Sequence, residues 1–519
     1  MKARLRFGSL LVCLVIFFNA HAQQEKVDYQ VISKIKNEAF NHSKVMETLF
    51  NLTDVMGPRL SGSSQLKNAQ LWAQKQLSDW GMVNAKIEPW GGFGNGWEIQ
   101  KSYIAMTVPY YQTLIATPKA WTPGTNGLIS GFVAIVKIET EQDFDKYKGK
   151  LNGKIIVVST NLEAKLGLKP DARRYTEQEL KDIYKDKSLD ETPDARPAID
   201  LVQMRKTRAL RQKLNAFLIE ENAAVIISSR GGTMGTFFTT NGASYATNAK
   251  AVLPELEMGI EHFNRLIRLL EAGKEVKLEV EIKTIFLEQD TLQYNVIAEI
   301  PGTDKSLKSE LVMIGAHLDS WHAATGATDN AAGSAVMMEV MRILKSIDAK
   351  PRRTIRIALW SAEEQGLLGS RGYVKKHFAD IDTMILLPEH GKLSAYYNLD
   401  NGGGKIRGIY LQGNDALRQV FEAWFEPFRD MDATTVTNRN TGSTDHIPFD
   451  QVGLPAFQFI QDPLDYGSKT HHTNMDTYDR IQKADLMQAS AVIAAIVYHT
   501  AMRDEKLARK PLPGKRVRG

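Results

Sequence analysis

Imidazole and carboxylate side chains stand at the ends of apolar runs in the second half of this 519-residue chain. His317 follows the run LVMIGA, and Glu363 and Glu364 follow IRIALWSA. Asp400 follows SAYYNL, and the pair His471–His472 lies in KTHHTNMDTYD. Imidazole and carboxylate together are ligands for zinc or a similar divalent ion. These residue types therefore indicate metal chemistry.

A pair of close cations needs one bridging carboxylate and about two further ligands for each ion. The sequence supplies such a set in His317, Asp329, Glu364, Asp400 and His472. Two metals about 3.5–4 Å apart can activate a water molecule and polarise a carbonyl group. Each residue has a plainer explanation when taken alone: Asp329, in TGATDNAAGS, could cap a helix, and Asp400 could belong to a turn. Their joint occurrence at strand ends is what favours a metal centre.

Two further carboxylates suit supporting roles. Neighbouring side chains of an extended segment point in different directions, so Glu364 can bind a metal while Glu363 faces the water. Glu363 then fits a general base that takes the proton of the water and passes it to the leaving amine. Asp319, two residues beyond His317, could hold the other ring nitrogen of that imidazole.

These side chains require a sheet that brings strand ends together. Residues 294–302, 311–319 and 354–361 have the pattern of strands, and residues 331–347 have that of a helix. Strands that alternate with helices predict a largely parallel sheet, in which ligands bind at the carboxyl ends. The near-continuous apolar run at 354–361 indicates helices on both faces. We therefore expect an α/β fold with a mostly parallel, mixed sheet.

The region 125–285 has a different texture from the rest of the chain. Short β-like runs alternate there with a highly charged segment at 169–212, which indicates a β-rich module inserted into the main domain. The predicted organisation is a leader at 1–22, the N-terminal part of the main domain at 23–124, the insertion at 125–285, the C-terminal part of the main domain at 286–505 and a basic tail at 506–519. The tail is expected to be a solvated terminus rather than a binding arm.

The first 22 residues have the three parts of a secretory signal peptide: a basic start, the apolar run 10–18 and the sequence Ala20-His21-Ala22. Because the run is too short to span a bilayer comfortably, we expect a secreted or periplasmic protein without stable membrane insertion; a retained anchor is the alternative. The one cysteine, Cys13, lies in this leader. The mature chain would then lack a thiolate for catalysis or for zinc binding.

The net charge of the chain is small. It is +5 overall, and removal of Lys2, Arg4 and Arg6 with the leader gives 5 − 3 = +2. This value is too small to indicate nucleic acid as a partner.

Four stretches resemble the zinc-binding motifs of the M28 metallopeptidases, namely HLDSW, TDNAAGS, WSAEEQGLLGS and HHTNMDT. GSTDHIPFDQVGLPA, at 442–456, resembles a later active-site loop of that family. The resemblance covers about 40–115 and 290–500. Residues 125–285 resemble the protease-associated domain that members often carry, and the layout is similar to the secreted, plasma glutamate carboxypeptidase-like branch.

The resemblance implies a di-zinc exopeptidase with a peptide substrate. It implies two Zn²⁺ ions, one held by His317 and Asp400, the other by Glu364 and His472, with Asp329 as the bridge. Other divalent ions are alternatives to zinc.

The resemblance also implies catalytic roles. Glu363 would be the general base. His472 matches the family ligand, since it directly precedes Thr473 in the HT–DT pattern. His471 stands where some relatives use a tyrosine to stabilise the oxyanion, and an imidazole can donate that hydrogen bond.

Three other assignments keep an alternative. Glu389 competes with Asp400 as a ligand. Asp445 and His446 are expected to shape the substrate pocket, with a purely structural role as the alternative. Two other functions on the same fold are a single-zinc glutaminyl cyclase and a non-catalytic receptor.

The sequence leaves the choice of peptide terminus open. An aminopeptidase needs acidic groups for the substrate ammonium, whereas a carboxypeptidase or dipeptidase needs arginine, lysine or other donors for the carboxylate. Arg371, Arg407 and Arg439 are candidates for the second role. The oligomeric state is also open, and a homodimer is compatible with the sequence.

Overall fold

The computed structural model describes residues 25–159, 162–185, 201–288 and 290–514. The predicted leader with Cys13 lies outside the described residues, as does the end of the predicted tail at 515–519. The described strands are β1 (Val83–Gly92), β2 (Gly96–Val108), β3 (Gln112–Thr113), β4 (Ala116–Pro118), β5 (Ile129–Val136), β6 (Ile155–Val158), β7 (Val225–Ser228), β8 (Glu255–Met258), β9 (Lys277–Leu287), β10 (Leu292–Ile300), β11 (Leu311–His317), β12 (Thr354–Trp360), β13 (Leu393–Asn398), β14 (Ile406–Tyr410), β15 (Thr435–Thr437) and β16 (Ala456–Gln461). The described α-helices are α1 (Tyr29–Asn41), α2 (Val45–Phe50), α3 (Ser64–Asp79), α4 (Glu177–Tyr184), α5 (Leu201–Glu220), α6 (Ile260–Glu271), α7 (Ala332–Ser346), α8 (Leu368–His377), α9 (Arg418–Phe425), α10 (His446–Asp450) and α11 (Lys483–Met502).

The first sheet has the strand order β1–β10–β12–β11–β13–β16–β14–β15. Strands β12, β11, β13 and β16 run parallel to their neighbours in that series, and so do β14 and β15. The pairs β1–β10, β10–β12 and β14–β16 are antiparallel. The predicted mostly parallel, mixed sheet is confirmed.

The first sheet is covered on both faces. On β11, Val312 and Ile314 belong to the core cluster that includes α7 and α11. Leu311 and Met313, which alternate with them, belong to the opposite cluster with Tyr373 of α8. Burying such a side chain contributes roughly 1.5–3 kcal/mol, so a shift by one residue would exchange the two faces at a large cost. This alternation fixes which residue ends the strand.

The second sheet has the order β3–β2–β9–β5–β6–β7–β8–β4, and we refer to it with its helices and loops as the second domain. Its first long strand, β2, begins at Gly96, whereas the sequence predicts the start of the insertion at 125. The chain changes sheets across 93–95, where Gly94 has φ +139° and an added Cβ would lie 2.2 Å from the carbonyl oxygen of Tyr245. The alternation of apolar and polar residues continues through 84–115. The sequence pattern therefore does not show that β1 and β2 belong to different sheets.

The start of the predicted tail is docked rather than solvated. Leu507 is 2% exposed. Lys510 Nζ lies 2.6 Å from Asp450 Oδ1, and Arg509 donates hydrogen bonds to the carbonyl oxygens of His390 and Leu393. The charged sequence predicts a solvated tail because it does not show that Leu507 is buried or that backbone carbonyl groups accept hydrogen bonds from the basic side chains.

Among the described residues, no helix combines the length and the apolar character needed to cross a bilayer.

Candidate metal centre

The predicted ligands meet at one edge of the first sheet. Strands β11, β12 and β13 are adjacent and parallel, so their carboxyl ends lie together. His317 ends β11, Glu363–Glu364 follow β12, and Asp400 follows β13. Asp329 lies in the turn before α7, and His472 lies in the loop after β16.

His317, Asp329 and Asp400 form a first group of potential ligand atoms. The His317 ring is fully buried, and its Nε2 lies 3.1 Å from Asp329 Oδ1 and 3.2 Å from Asp400 Oδ1. Its Nδ1 lies 2.9 Å from the carbonyl oxygen of Asp319 and can donate to it. In that tautomer, Nε2 presents its lone pair to the two carboxylates, as in a metal-binding imidazole.

Asp319 acts through a different atom from the one expected. The contact to the His317 ring comes from its backbone carbonyl, while its carboxylate stands 3.6 Å from Nδ1. That carboxylate accepts hydrogen bonds from the backbone N–H groups of Glu363 and Glu364 and from Ser61 Oγ, at 3.3, 3.4 and 3.1 Å. Asp319 thus ties the end of β11 to the glutamate pair after β12.

His472 forms a second group on the other side of Asp329. Its Nε2 lies 3.2 Å from Asp329 Oδ2 and 2.8 Å from Glu364 Oε2. His471 stacks on it with ring centroids 3.8 Å apart, but the Nε2 of His471 is 3.9 Å from Asp329 Oδ2 and its side chain is 43% exposed. The shorter contacts favour His472 over His471 as the ligand.

This edge carries more buried negative charge than the described side chains neutralise. Burial raises the pKa of Glu363 well above its usual range, and the neighbouring carboxylates add to this rise. Burial and the charge of Asp329 raise the pKa of Glu364 to about 7. Burial opposes protonation of His317, yet the carboxylates of Asp400 and Glu363 raise its pKa well above the usual value. A cation at this place would relieve the repulsion.

The donor set fits divalent cations. Asp329 Oδ2 and Glu364 Oε1 are buried and have no hydrogen-bond partner. Two atoms that bind one zinc ion at about 2.0–2.2 Å lie about 3–3.5 Å apart. The four contacts of the two imidazole Nε2 atoms with carboxylate oxygens measure 2.8–3.2 Å, which is close to that spacing. The two oxygens of Asp329 face different imidazole–carboxylate groups.

Asp445 and His446 lie behind this edge. Both are fully buried. Asp445 accepts a hydrogen bond from Ser370 Oγ, and burial raises its pKa to about 8. Burial lowers the pKa of His446 to about 4, and its Nε2 receives a hydrogen bond of 2.8 Å from Gln412. Any effect of these two residues on a substrate acts through the residues that cover them.

Glu389, the alternative to Asp400, is engaged elsewhere. It lies 3.6 Å from the Arg356 guanidinium and 3.7 Å from His377 Nδ1. The other ring nitrogen of His377 contacts Glu88 at 2.6 Å. Asp400, at 3.2 Å from His317, is the better candidate of the two.

The arginines singled out in the sequence are held in the framework. Arg407 pairs with Asp462 at 2.7 Å, and Arg371 and Arg439 donate to backbone carbonyls. A fourth arginine, which the sequence pattern did not indicate, belongs to the second domain. The guanidinium carbon of Arg230 lies 5.8 Å from the centre of the Phe238 ring, which is itself 5.3 Å from the His472 ring.

Arg59 is a supporting residue that the sequence pattern also missed. Its fully buried side chain donates five hydrogen bonds to backbone carbonyls, those of Leu52, Gly57, Leu318, Thr325 and Gly326. Two of these carbonyls flank the chain segments that carry His317 and Asp329. In the sequence, Arg59 follows a Gly-Pro break and has no local signal beyond it.

Asp476 fixes the turn that carries Asp329. Its carboxylate accepts hydrogen bonds from the backbone N–H groups of Thr328 and Asp329, at 2.6 and 3.1 Å. Burial, together with the nearby Asp329 carboxylate, raises the pKa of Asp476 to about 7. Its place in HHTNMDT is the signal that could have identified it.

Tyr466 brings a phenol to the same edge. An added Cβ on Gly402 would lie 3.0 Å from the Tyr466 side chain, so the ring packs closely on the turn after Asp400. Its centroid is 5.0 Å from that of His471. Burial raises the pKa of Tyr466 well above its usual value, and the carboxylates of Asp329 and Asp400 add to the rise. The Tyr466 ring therefore lies beside His471 and the turn after Asp400.

Comparisons with known proteins agree with this geometry. Residues 295–497 match the family model described as Peptidase family M28. Carboxypeptidase Q of Mus musculus is 24% identical over 93% of this chain and 94% of its own length. The crystal structure of a peptidase M28 precursor from Shewanella amazonensis SB2B is similar, with a TM-score of 0.65 and 26% identity over 94% of this chain and 99% of that one.

A zinc aminopeptidase from Bacillus subtilis, BSAP, shares the fold, with a TM-score of 0.55 and 19% identity over 89% of this chain and 96% of its own. The family match and the full-length relatives lead to the same assignment. The chain is a metallo-exopeptidase that is similar to peptidase family M28 over residues 295–497.

Proposed function

We propose that this chain is a di-zinc exopeptidase that hydrolyses peptide bonds near a chain terminus. The observation that carries the proposal is the position of Asp329, whose two oxygens face two different imidazole–carboxylate groups. This supports one ion held by His317 and Asp400, a second held by Glu364 and His472, and a bridge at Asp329. The similar protein BSAP is a zinc aminopeptidase, which supports zinc as the metal.

When bound, the two ions polarise the scissile carbonyl and make the attacking water more acidic. Glu363 takes the proton of that water and returns it to the leaving amine. Its backbone N–H is held by Asp319, which supports a fixed position for its carboxylate. His471 at the rim, or the half-buried Tyr466 through its phenol, donates a hydrogen bond to the oxyanion that forms on the substrate.

We propose that the enzyme acts at the carboxyl end of short peptides. The alignment with carboxypeptidase Q spans 93% of the chain. Arg230 offers a cation for the substrate carboxylate: its side chain is 39% exposed although it also contacts Glu257 at 3.6 Å. The contacts through Phe238 keep its guanidinium within about 11 Å of the His472 ring. In a dipeptide the carboxylate carbon lies about 3–4 Å from the scissile carbon, so a substrate bound at the metal centre extends part of the way toward this cation.

We further propose that the protein is secreted or periplasmic, because the leader has the parts of a signal peptide. The second domain is proposed to be a protease-associated domain on the resemblance of residues 125–285.

The metal content of the purified protein, together with cleavage of a small substrate panel, tests this function. The panel contains aminoacyl anilides, N-blocked peptides and free dipeptides, each with and without a chelator. We expect about two zinc ions per chain and chelator-sensitive cleavage of substrates with a free carboxyl terminus. Cleavage of the anilides alone would overturn the choice of terminus.

Two other outcomes would overturn the reaction itself. One zinc ion with cyclisation of an N-terminal glutamine would reassign the chain to the glutaminyl cyclase type. Absence of zinc binding after reconstitution, with no cleavage, would leave the receptor-like alternative.

A further inference from the structure

The loop that carries His472 is joined to the second domain by several contacts. The backbone N–H of Thr239 donates to the carbonyl oxygen of His472 at 2.9 Å. Phe238 and Thr473 form an antiparallel bridge. The Phe238 ring lies 5.3 Å from the His472 ring. The candidate ligand therefore lies in a short strand-like pairing between the two domains.

Asn474 fastens this pairing with both ends of its amide. Its Oδ1 accepts a hydrogen bond of 3.0 Å from the backbone N–H of Phe237, and its Nδ2 donates one of 3.0 Å to the carbonyl oxygen of Gly235. One side chain thus satisfies two backbone groups of the 232–240 loop, which belongs to the second domain. An amide is the side chain that can donate and accept at the same time.

The backbone of His472 needs such support. Its φ angle is +57°, in the left-handed region that residues other than glycine rarely adopt. A conformation of this kind persists when neighbouring contacts hold it. The bond from Thr239 acts directly on the His472 carbonyl, and Asn474 holds the strand that supplies this bond.

We propose that the second domain positions His472 for metal binding and that Asn474 is the positioning residue. This inference rests on the proposed function, in which His472 is a zinc ligand. Occupancy of the metal position that His472 shares with Glu364 then depends on docking of residues 232–240. The position at His317 and Asp400 does not depend on it, because among the described residues no hydrogen bond or ion pair joins those two side chains to that loop.

Zinc titration of the metal-free full-length chain tests the inference with Asn474→Ala. The variant should bind one zinc ion as the wild type does and a second one about 10-fold to 100-fold more weakly, as expected from the loss of two hydrogen bonds. Activity should return toward the wild-type value as zinc is raised. If Asn474 had only a structural role, the variant would bind both zinc ions more weakly, and added zinc would not restore its activity.

The matched control is Arg174→Ala. Arg174 joins the charged segment to the first domain through Asp462 and Asp485, at 2.8 and 2.9 Å. In the part of the chain that the structure describes, it forms no hydrogen bond or ion pair with the His472 loop, residues 471–474. Its zinc affinities should stay within about twofold of the wild type. Asn474→Asp keeps the acceptor for the Phe237 N–H but loses the donor to the Gly235 carbonyl. It should therefore lose less affinity for the second zinc ion than Asn474→Ala, and it provides the test if Asn474→Ala does not fold.

Equal zinc affinities in the wild type and in both Asn474 variants would overturn the inference alone. A wild type that binds fewer than two zinc ions would overturn the proposed function and the inference with it.

Discussion

Replacing Arg59 should weaken both the fold and the metal centre. Arg59→Met keeps an unbranched chain of similar length but removes all five hydrogen bonds of the guanidinium, which measure 2.6–3.2 Å. The carbonyl oxygens of Leu318 and Gly326 lose their charged donor. These two residues adjoin the segments of His317 and Asp329, so the effect is expected to reach the ligands.

The magnitude follows from the burial of the group. A buried polar group without a partner costs about 1–3 kcal/mol, but removal of the buried cation itself recovers part of its desolvation cost. We therefore expect a net loss of about 3–5 kcal/mol in the free energy of unfolding, similar to the removal of one partner from a buried ion pair. For a domain of this size, that corresponds to a decrease of about 5–8 °C in Tm.

Arg353→Met is the control for this experiment. Arg353 is 1% exposed and donates to Glu310 and to the carbonyls of Arg503 and Asp504, at the amino end of β12, whereas the metal centre lies at the carboxyl end. Thermal unfolding and zinc titration should separate the two variants, since both lower Tm but only the Arg59 variant loses zinc affinity. A loss below about 1 kcal/mol for Arg59→Met, or equal zinc affinities in the two variants, would refute the reasoning.

Four other predictions concern the site and its surroundings. Glu363→Gln should lower kcat by about 10²–10⁴-fold with the zinc content unchanged, which metal analysis and steady-state kinetics would show; loss of zinc would instead make it a ligand. Of His471→Phe and Tyr466→Phe, one should lower kcat by about 10²–10³-fold at full zinc occupancy, and the residue so identified is the oxyanion donor; no loss in either would exclude both. Arg230→Ala should raise KM for peptides with a free carboxyl terminus by about 10-fold or more and leave amidated peptides unaffected, and an equal change in both would count against carboxylate binding. Burial opposes protonation of His377, but the two glutamates that contact this residue raise its pKa above the usual value. The stability that the charged imidazole contributes to the fold is therefore complete below about pH 6.5 and is lost as the pH rises through the raised pKa. Urea unfolding of His377→Gln should therefore show a larger loss of stability at about pH 6 than at about pH 9, and equal losses would contradict the sign.

The sequence was sufficient for the parts of the site that depend on local pattern. Strand ends can be located from apolar runs, and parallel strands bring their carboxyl ends to one edge by geometry alone. For that reason His317, Glu364 and Asp400 could be placed together before their distances were known. Asp329 and His472 could be added because metal chemistry requires further ligands of the same type.

Long-range contacts account for what the sequence did not reveal. Arg59 acts on carbonyls that are distant in the chain, and a lone arginine after a turn carries no sign of this. Tyr466 reaches the centre because its ring packs on Gly402, which is a property of two loops brought together by folding. Similarly, strand-like alternation is the same in both sheets, so the pattern does not show which sheet a strand joins.

The second domain reaches the metal centre from two directions, which bears on how it can influence catalysis. One contact is the pairing with the His472 loop, and the other is His322, whose Nε2 donates to the carbonyl oxygen of Pro118 at 2.7 Å. Burial lowers the pKa of His322 to about 4, so this imidazole stays neutral and keeps the same donor at ordinary pH. His322 continues the segment that begins at His317, and the two contacts therefore hold loops that carry candidate ligands of different metal positions. A movement of the second domain would therefore strain both loops together, most directly the His472 loop, whose backbone pairs with residues 237–239.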